Sequence, residues 1–371
     1  MQSNSTQKDS SDEWTFVSNK KKTKKQVKEK HLAKAKRQLH LLQYSDHDLN
    51  DQQQTYDPTE NEVDDLVANI EECMKSLELL HPNMRQDRRD VTPLNFVQEL
   101  LNTITKATDF KNLQSVSKIK SVSPKKRKVQ EIICYGIGNF SKASYSTLQS
   151  TSYSSPMIQI SCALLLRKKL ATKSRILEND TQSLYEDHQS SIPMRYYEPL
   201  INPVERKVLQ HFNVELLENE QGKRQIGTIQ NINNEETRDD SFGISLFFMP
   251  HCPMRLYSNL LWANWEPSKI SRIVIFGNSF KAYDDRIMAF DQRNDCTNAI
   301  FPILEYVQEY TIPSIGDHVK KMNHLDIDTS ISLAFNDCVL MSFDVFKDGI
   351  CWPDRPMEYL VKDDSLDSEI I

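Results

Sequence analysis

Pro250-His251-Cys252-Pro253 sets an imidazole beside a thiol where an apolar run, FFM, stops and helical spacing resumes. A thiol at a helix N-terminus ionises readily, because the dipole favours the thiolate, and a neighbouring imidazole could take its proton. Nucleophile and base is therefore one reading. Cys252-Pro253 is also a Cys-Pro dipeptide of the kind that supplies a thiolate to haem iron, which makes Cys252 a haem-ligand candidate. No other His or Cys stands at zinc-like spacing to it, so no other metal site is expected. The bland alternative is a strand-to-helix corner with Pro253 at the first helical position.

Three further groups have types and spacings that could hold a ligand. Gly136-Ile137-Gly138-Asn139 follows an apolar strand, and glycines there let backbone N–H groups approach a phosphate. The third glycine of the dinucleotide fingerprint is replaced by Ser141, so tight packing of the turn is the competing reading. Glu198 closes a second strand, where an acid can take ribose hydroxyls, although it lies about sixty residues beyond Gly138 rather than the usual ~20. Asn278 and Ser279 follow a third strand and either bond a ligand or cap the next turn.

These residues share a place in the pattern. From Glu131 onward, short apolar runs alternate with helical spacing, the mark of a mostly parallel sheet covered on both faces. Strands are expected over 132–136, near 195–198, and over 214–217, 244–249 and 272–276. A helix through Phe301, Leu304 and Val307 is expected to lead to a strand near 311–312, and a last strand spans 334–343. Asn202-Pro203-Val204-Glu205 reads as cap, first turn and capping partner of a helix. The fold class is α/β, a Rossmann-like three-layer domain over 120–345. Its ligand edge would be the carboxyl ends of the strands, where all four candidate segments fall.

Before this domain the chain changes character twice. Residues 1–58 are polar and rich in lysine and glutamine, with too few large apolar side chains to offset ordering entropy, and are expected to be disordered. Two amphipathic helices follow over 59–119. Thr59-x-x-Glu62 forms a capping box for the first, and Thr92-Pro93 starts the second, whose apolar face is Phe96, Val97, Leu100, Leu101 and Ile104. They are expected to pack as an N-terminal subdomain. Residues 346–371 read as a tail that frays after Asp354.

Net charge is −6, but the signs are segregated. Lys20 to Arg37 carries ten basic residues and one acid, a candidate for polyanion binding without the interleaved aromatics that read single strands. Lys125, Lys126, Arg127 and Lys128 lie in PKKRKV, the core of a monopartite nuclear import signal that here abuts a strand entrance. The seven cysteines show no CxxC, which points to free thiols in a reducing compartment. No apolar run is long enough to span a membrane, and no membrane partner is expected. The expected setting is cytoplasm and nucleus.

ICYGIGNF (133–140), YEPLINPVERKVL (197–209), ENEQGKR (218–224), LFFMPHCPMRLYSNLLWANW (246–265) and IVIFGNSF (273–280) together resemble the sensitivity-to-red-light-reduced (SRR-like) domain proteins. DEWTFV at 12–17 is similar to the family's leader. Glu198-Pro199 stands where the family usually has Asp-Pro, keeping the carboxylate but moving it outward by a methylene. The resemblance implies regulation: phytochrome-linked light signalling and clock input in plants, clock-gene expression and control of haem biosynthesis in animals. It implies no reaction and no catalytic residue, and leaves any cofactor unknown. The expected function is thus partner or small-ligand binding in such regulation, with protein partners foremost and nucleic acid a weaker candidate. The runner-up is a nucleotide- or S-adenosylmethionine-dependent, methyltransferase-like enzyme using the strand-end rim.

Overall fold

The computed structural model describes residues 57–78, 96–108, 127–141, 153–177, 192–217, 221–227, 243–286, 297–313, 327–345 and 351–358. In chain order the first elements are α1 (Glu60–Glu78), α2 (Phe96–Thr108), β1 (Val129–Tyr135), α3 (Ser155–Leu177), β2 (Met194–Tyr197), α4 (Pro203–His211) and β3 (Glu215–Leu216). There follow β4 (Ile244–Met249), α5 (Met254–Ala263), α6 (Pro267–Ile270), β5 (Ile273–Asn278), α7 (Phe280–Arg286), a 3₁₀ turn (Phe301–Tyr306), β6 (Val307–Tyr310), α8 (Ile327–Phe335) and β7 (Cys338–Phe343). The Lys20–Arg37 run, the Thr92-Pro93 cap, Lys125 and Lys126 lie outside the described residues.

Seven strands form one mixed sheet in the order β3-β2-β1-β4-β5-β7-β6. β1 to β5 are mutually parallel; β7 runs antiparallel to both β5 and β6. Strand alternation divides the core. Ile132, Cys134, Leu246, Phe248, Val274 and Phe276 pack on one face, and Ile133, Tyr135, Phe247, Met249, Ile273 and Ile275 on the other. A sheet buried on both sides needs apolar residues at every position, and β4 is buried from end to end.

One face carries a double layer. Residues 157–166 of α3 are all buried, so this helix is covered on every side, by the sheet within and by other helices without. α1 and α2 supply the outer cover, and their Leu66, Ile70, Leu77, Phe96, Leu100 and Ile104 belong to the core cluster of that sheet face. They share the sheet's core instead of forming one of their own. The Thr59 box forms as the sequence indicates: the Thr59 N–H donates to Glu62 Oε2 (2.9 Å) and the Glu62 N–H to Thr59 Oγ1 (3.3 Å). Phe96 stacks on Phe335 at 4.8 Å and lies 6.4 Å from Phe276 of the sheet.

Four further sequence expectations change. Phe301–Tyr306 is a 3₁₀ turn, not an α-helix, and the strand after it is 307–310 instead of 311–312. Ala334 and Phe335 end α8 instead of opening β7, because Ile331, Ala334 and Phe335 recur at helical spacing and Asp337 turns the chain with φ +62°. Pro253 is the N-cap of α5, not its first helical residue. Residues 355–358 do not fray: Pro356 and Glu358 make defined contacts described below.

Candidate functional site

The parallel strands β1, β2, β4 and β5 bring their carboxyl ends to one edge of the sheet, and with them every ligand candidate read from the sequence. β1 ends at Tyr135, and the chain turns through Gly136 (φ +61°) and Gly138 (φ +80°). The Gly136 N–H donates to Tyr197 O of β2 (3.2 Å). Cys252 fills the space between the ends of β1 and β4. It is 1 % exposed, and its thiol donates to Tyr135 O (3.1 Å). A Cβ on Gly136 would stand 2.8 Å from that sulfur.

This settles the opposition within His251-Cys252. His251 takes a left-handed backbone (φ +56°), so the chain reverses and the two side chains part. The thiol turns into the core; the exposed His251 reaches Ala334 O with Nε2 (3.0 Å), which must carry the proton because a carbonyl can only accept. Burial foremost, then Glu198 and neighbouring thiols, pushes the Cys252 thiol well up. The thiol is thus sealed in the core between β1 and β4 and is not presented at the surface, where a nucleophile or a haem ligand would have to stand.

Glu198 closes β2 and holds the glycine turn. The Gly138 N–H donates to Glu198 Oε2 (2.9 Å), and the Leu200 N–H to Oε1 (3.3 Å). Glu205 does the same one step outward. Its Oε1 accepts the Ser141 N–H (2.8 Å) and its Oε2 the Asn202 N–H (3.3 Å), while Asn202 Oδ1 accepts from the Glu205 N–H (2.9 Å). The capping box read in Asn202–Glu205 therefore also pins the end of the β1 loop, where Ser141 Oγ donates to Asn139 Oδ1 (2.9 Å).

Asn278 is the other clamp. Its Oδ1 accepts the His251 N–H (3.0 Å), and its Nδ2 donates to Cys252 O (3.3 Å) and Tyr283 Oη (2.9 Å). Its own N–H donates to Tyr257 Oη (3.0 Å), whose hydroxyl proton goes to Met249 O. Ser279 caps α7: its Oγ accepts from the Ala282 N–H (2.9 Å) and donates to Glu309 Oε2 (2.8 Å). Glycine at 277 belongs to this corner, since a Cβ there would meet Tyr257 Oη at 2.6 Å and Met249 O at 2.8 Å.

A family model described as the SRR1 domain matches residues 98–342, about two thirds of the chain. The chain belongs to the SRR1-domain family. It is 28 % identical over 188 residues to Protein SENSITIVITY TO RED LIGHT REDUCED 1 of Arabidopsis thaliana, a match that covers 50 % of this chain and 53 % of that protein. An SRR1-like protein of Mus musculus is 28 % identical over 221 residues, covering 58 % of this chain and 68 % of the mouse protein. The match thus spans about half the length of the plant relative. No solved structure matches.

The SRR1-domain match opens within α2, in keeping with that helix's place in the shared core. Two cavities flank the rim that Cys252 plugs. One, of about 240 Å³, is lined by Tyr196, Tyr197, Glu198, Pro199 and Arg206 among others; a second, of about 200 Å³, by His251, Asn278, Ser279, Ala282, Tyr283 and Asp337. Cys252 links the two sides, through Sγ to β1 and through its carbonyl to Asn278. No group of three or more metal-ligating side chains occurs among the described residues. None of the helices described is long and apolar enough to cross a membrane.

Several residues at this SRR1-domain rim escaped sequence reasoning. Tyr257 stands on the buried face of α5, and only its hydroxyl's reach to β4 and β5 gives it a role. Glu309 and Asp337 come from the antiparallel end of the sheet, with no local pattern tying them to Ser279. Of the basic motif, Arg127 is drawn into the fold. Its guanidinium donates to Ser271 O (2.5 Å), and burial foremost, then Arg272, lowers it to about 10. Lys128 O accepts the Ile244 N–H (2.8 Å).

The two rim carboxyls give stability a pH dependence. Burial pushes Glu198 and Glu205 up from the ordinary 4.5, opposed by the hydrogen bonds just described. A carboxyl raised on folding binds more protons folded than unfolded, so its stabilisation is full below the unfolded value and is lost as pH rises through the folded one. Glu205→Gln removes that slope for one group. As pH rises above about 4.5 the melting temperature of the unaltered chain should fall relative to the variant; a gap constant with pH would refute the raised carboxyl.

Proposed function

We propose that this protein is a regulator that works by binding, within the kind of response named for its plant relative, sensitivity to red light. Membership of the SRR1-domain family carries the reading. The rim geometry supports it: the candidate donors and acceptors bond one another, and the thiol is sealed. In finer terms, the regulation concerns clock input, clock-gene expression and haem biosynthesis, acts through protein partners, and takes place in cytoplasm and nucleus. For import, Lys125 and Lys126 would have to serve with Arg127 drawn into the fold. A fluorescent fusion of the full chain that stays nuclear after Lys125→Ala and Lys126→Ala would remove that part.

One observation favours a second reading, a Rossmann-like enzyme that uses S-adenosylmethionine. The order β3-β2-β1-β4-β5-β7-β6, with only β7 reversed, is that of the S-adenosylmethionine-dependent methyltransferase sheet, a likeness of topology alone. Glu198 stands after β2 beside a cavity of about 240 Å³, where such a fold would hold ribose hydroxyls. Thermal unfolding of the full chain with S-adenosylmethionine, nucleotides or haemin separates the readings. A ligand at a hundred times its Kd adds about 2.7 kcal/mol, a shift of roughly 5–10 °C. An S-adenosylmethionine shift lost in Glu198→Ala would promote the enzyme; no shift with any of them leaves the regulator reading standing.

A further inference from the structure

Residues 351–358, CWPDRPME, have no secondary structure, yet they lie against the C-terminal end of α5 and the link that follows it, with defined side-chain contacts. Trp262 donates its indole N–H to Pro356 O (3.0 Å), and Trp265 donates its own to Pro353 O (3.0 Å). The two prolines are three residues apart, the spacing that puts side chains on one face of an extended three-per-turn strand. Burial follows that spacing: Pro353 and Pro356 are half-buried, while Asp354, Arg355 and Met357 are exposed. Arg355 then folds back, with its guanidinium 4.0 Å from the centre of the Trp262 ring and its Nη2 donating to Trp262 O (2.8 Å). Lys223 adds an ammonium 5.5 Å from the same ring and pairs with Glu358 (2.9 Å). At the other end Trp352 packs against Tyr306 (5.0 Å) and Trp265 (5.4 Å).

Indole donors aimed at the carbonyls of two half-buried prolines three residues apart, with an arginine on one of the tryptophans, are the chemistry by which aromatic grooves read Pro-x-x-P peptides. The two indole hydrogen bonds and the Arg355 contacts all fall on Pro353-Asp354-Arg355-Pro356, a Pro-x-Arg-Pro motif that an extended peptide can present. We infer that the Trp262–Trp265 face is a docking surface for extended Pro-x-Arg-Pro peptides, and that residues 351–358 occupy it in cis as a tethered ligand. The surface sits at the end of α5 remote from the strand-end rim, so it is independent of any ligand held there. A partner carrying such a segment competes with the tether, which acts at an effective concentration on the order of millimolar.

The probe is a fluorescein-labelled peptide WPDRPME, read by anisotropy against two forms of the full chain, unaltered and carrying Pro353→Ala, Arg355→Ala and Pro356→Ala together. Vacating the tether should tighten binding at least tenfold, and Trp262→Ala in the same background should abolish it. A peptide with both prolines replaced by alanine should not bind. Equal affinity for the two forms, binding that survives Trp262→Ala, or equal binding of the alanine peptide would overturn the proposal and leave 351–358 a structural strap. Should the triple variant fail to fold, hydrogen exchange on the unaltered chain decides. Millimolar peptide should speed exchange at 351–358 alone, and unchanged rates at saturating peptide would overturn the proposal equally.

Discussion

Phe96→Ala should lower the stability of the whole α/β unit by about 3–5 kcal/mol, the range for deleting a buried aromatic ring. Phe96 is 4 % exposed and belongs to a helix that local sequence pattern sets apart from the sheet. Its ring, however, meets Phe335 and Phe276, which in turn meet Phe248 of the central strand β4. The cavity left by alanine would open in the middle of the helical face, bounded by elements that already pack one another and cannot collapse freely. Denaturant unfolding followed by far-ultraviolet circular dichroism and by tryptophan fluorescence checks this. Both signals should move together to lower denaturant with an unchanged slope. Loss of helical signal alone, with the tryptophan transition unmoved, would show that α2 is peripheral.

Gly136→Ala should cost about 3 kcal/mol, and Gly138→Ala only about 1 kcal/mol. Both glycines have positive φ, so alanine at either pays left-handed strain. Only Gly136 adds a steric term. Its Cβ would stand 2.8 Å from Cys252 Sγ, whereas a Cβ on Gly138 meets nothing nearer than Pro156 at 3.9 Å. Cys252 cannot yield easily, since its thiol is bonded to Tyr135 O and its carbonyl to Asn278 and Tyr283. Melting temperatures should therefore fall by roughly 6–12 °C for Gly136→Ala and about 2–4 °C for Gly138→Ala. Adding Cys252→Ala should return part of the first loss, because the smaller side chain vacates the space. Equal losses at the two glycines, or no recovery in the double variant, would mean that Cys252 is not the obstacle.

Much of the fold was legible because it is local. Helical or strand periodicity is a property of a few consecutive residues, and it located the central strands, the amphipathic α1 and the apolar face of α2. Capping chemistry is equally short-range: Thr59 with Glu62 and Asn202 with Glu205 form the boxes their spacing predicts. Errors fell where a short segment had two local solutions. Phe301–Tyr306 is a short 3₁₀ segment with Pro302 in its first turn that runs straight into a strand, and Ala334-Phe335 satisfies both a helix end and a strand start until Asp337 turns the chain.

The sequence by itself determined the α/β class, the edge of the sheet where glycines, acids and amides gather, and, through five quoted motifs, the family. Tertiary structure alone decided what those residues do to each other. Whether Cys252 faced ligand or core hung on one left-handed residue, His251, and on a sulfur-sized gap at Gly136, which lies over a hundred residues earlier in the chain. Glu309 reaches Ser279 across the sheet's antiparallel end, and the indoles of Trp262 and Trp265 find carbonyls 94 and 88 residues away. Such pairings leave no period and no spacing in the chain. They exist because packing brings distant side chains together, and a buried polar group takes the partner that packing supplies.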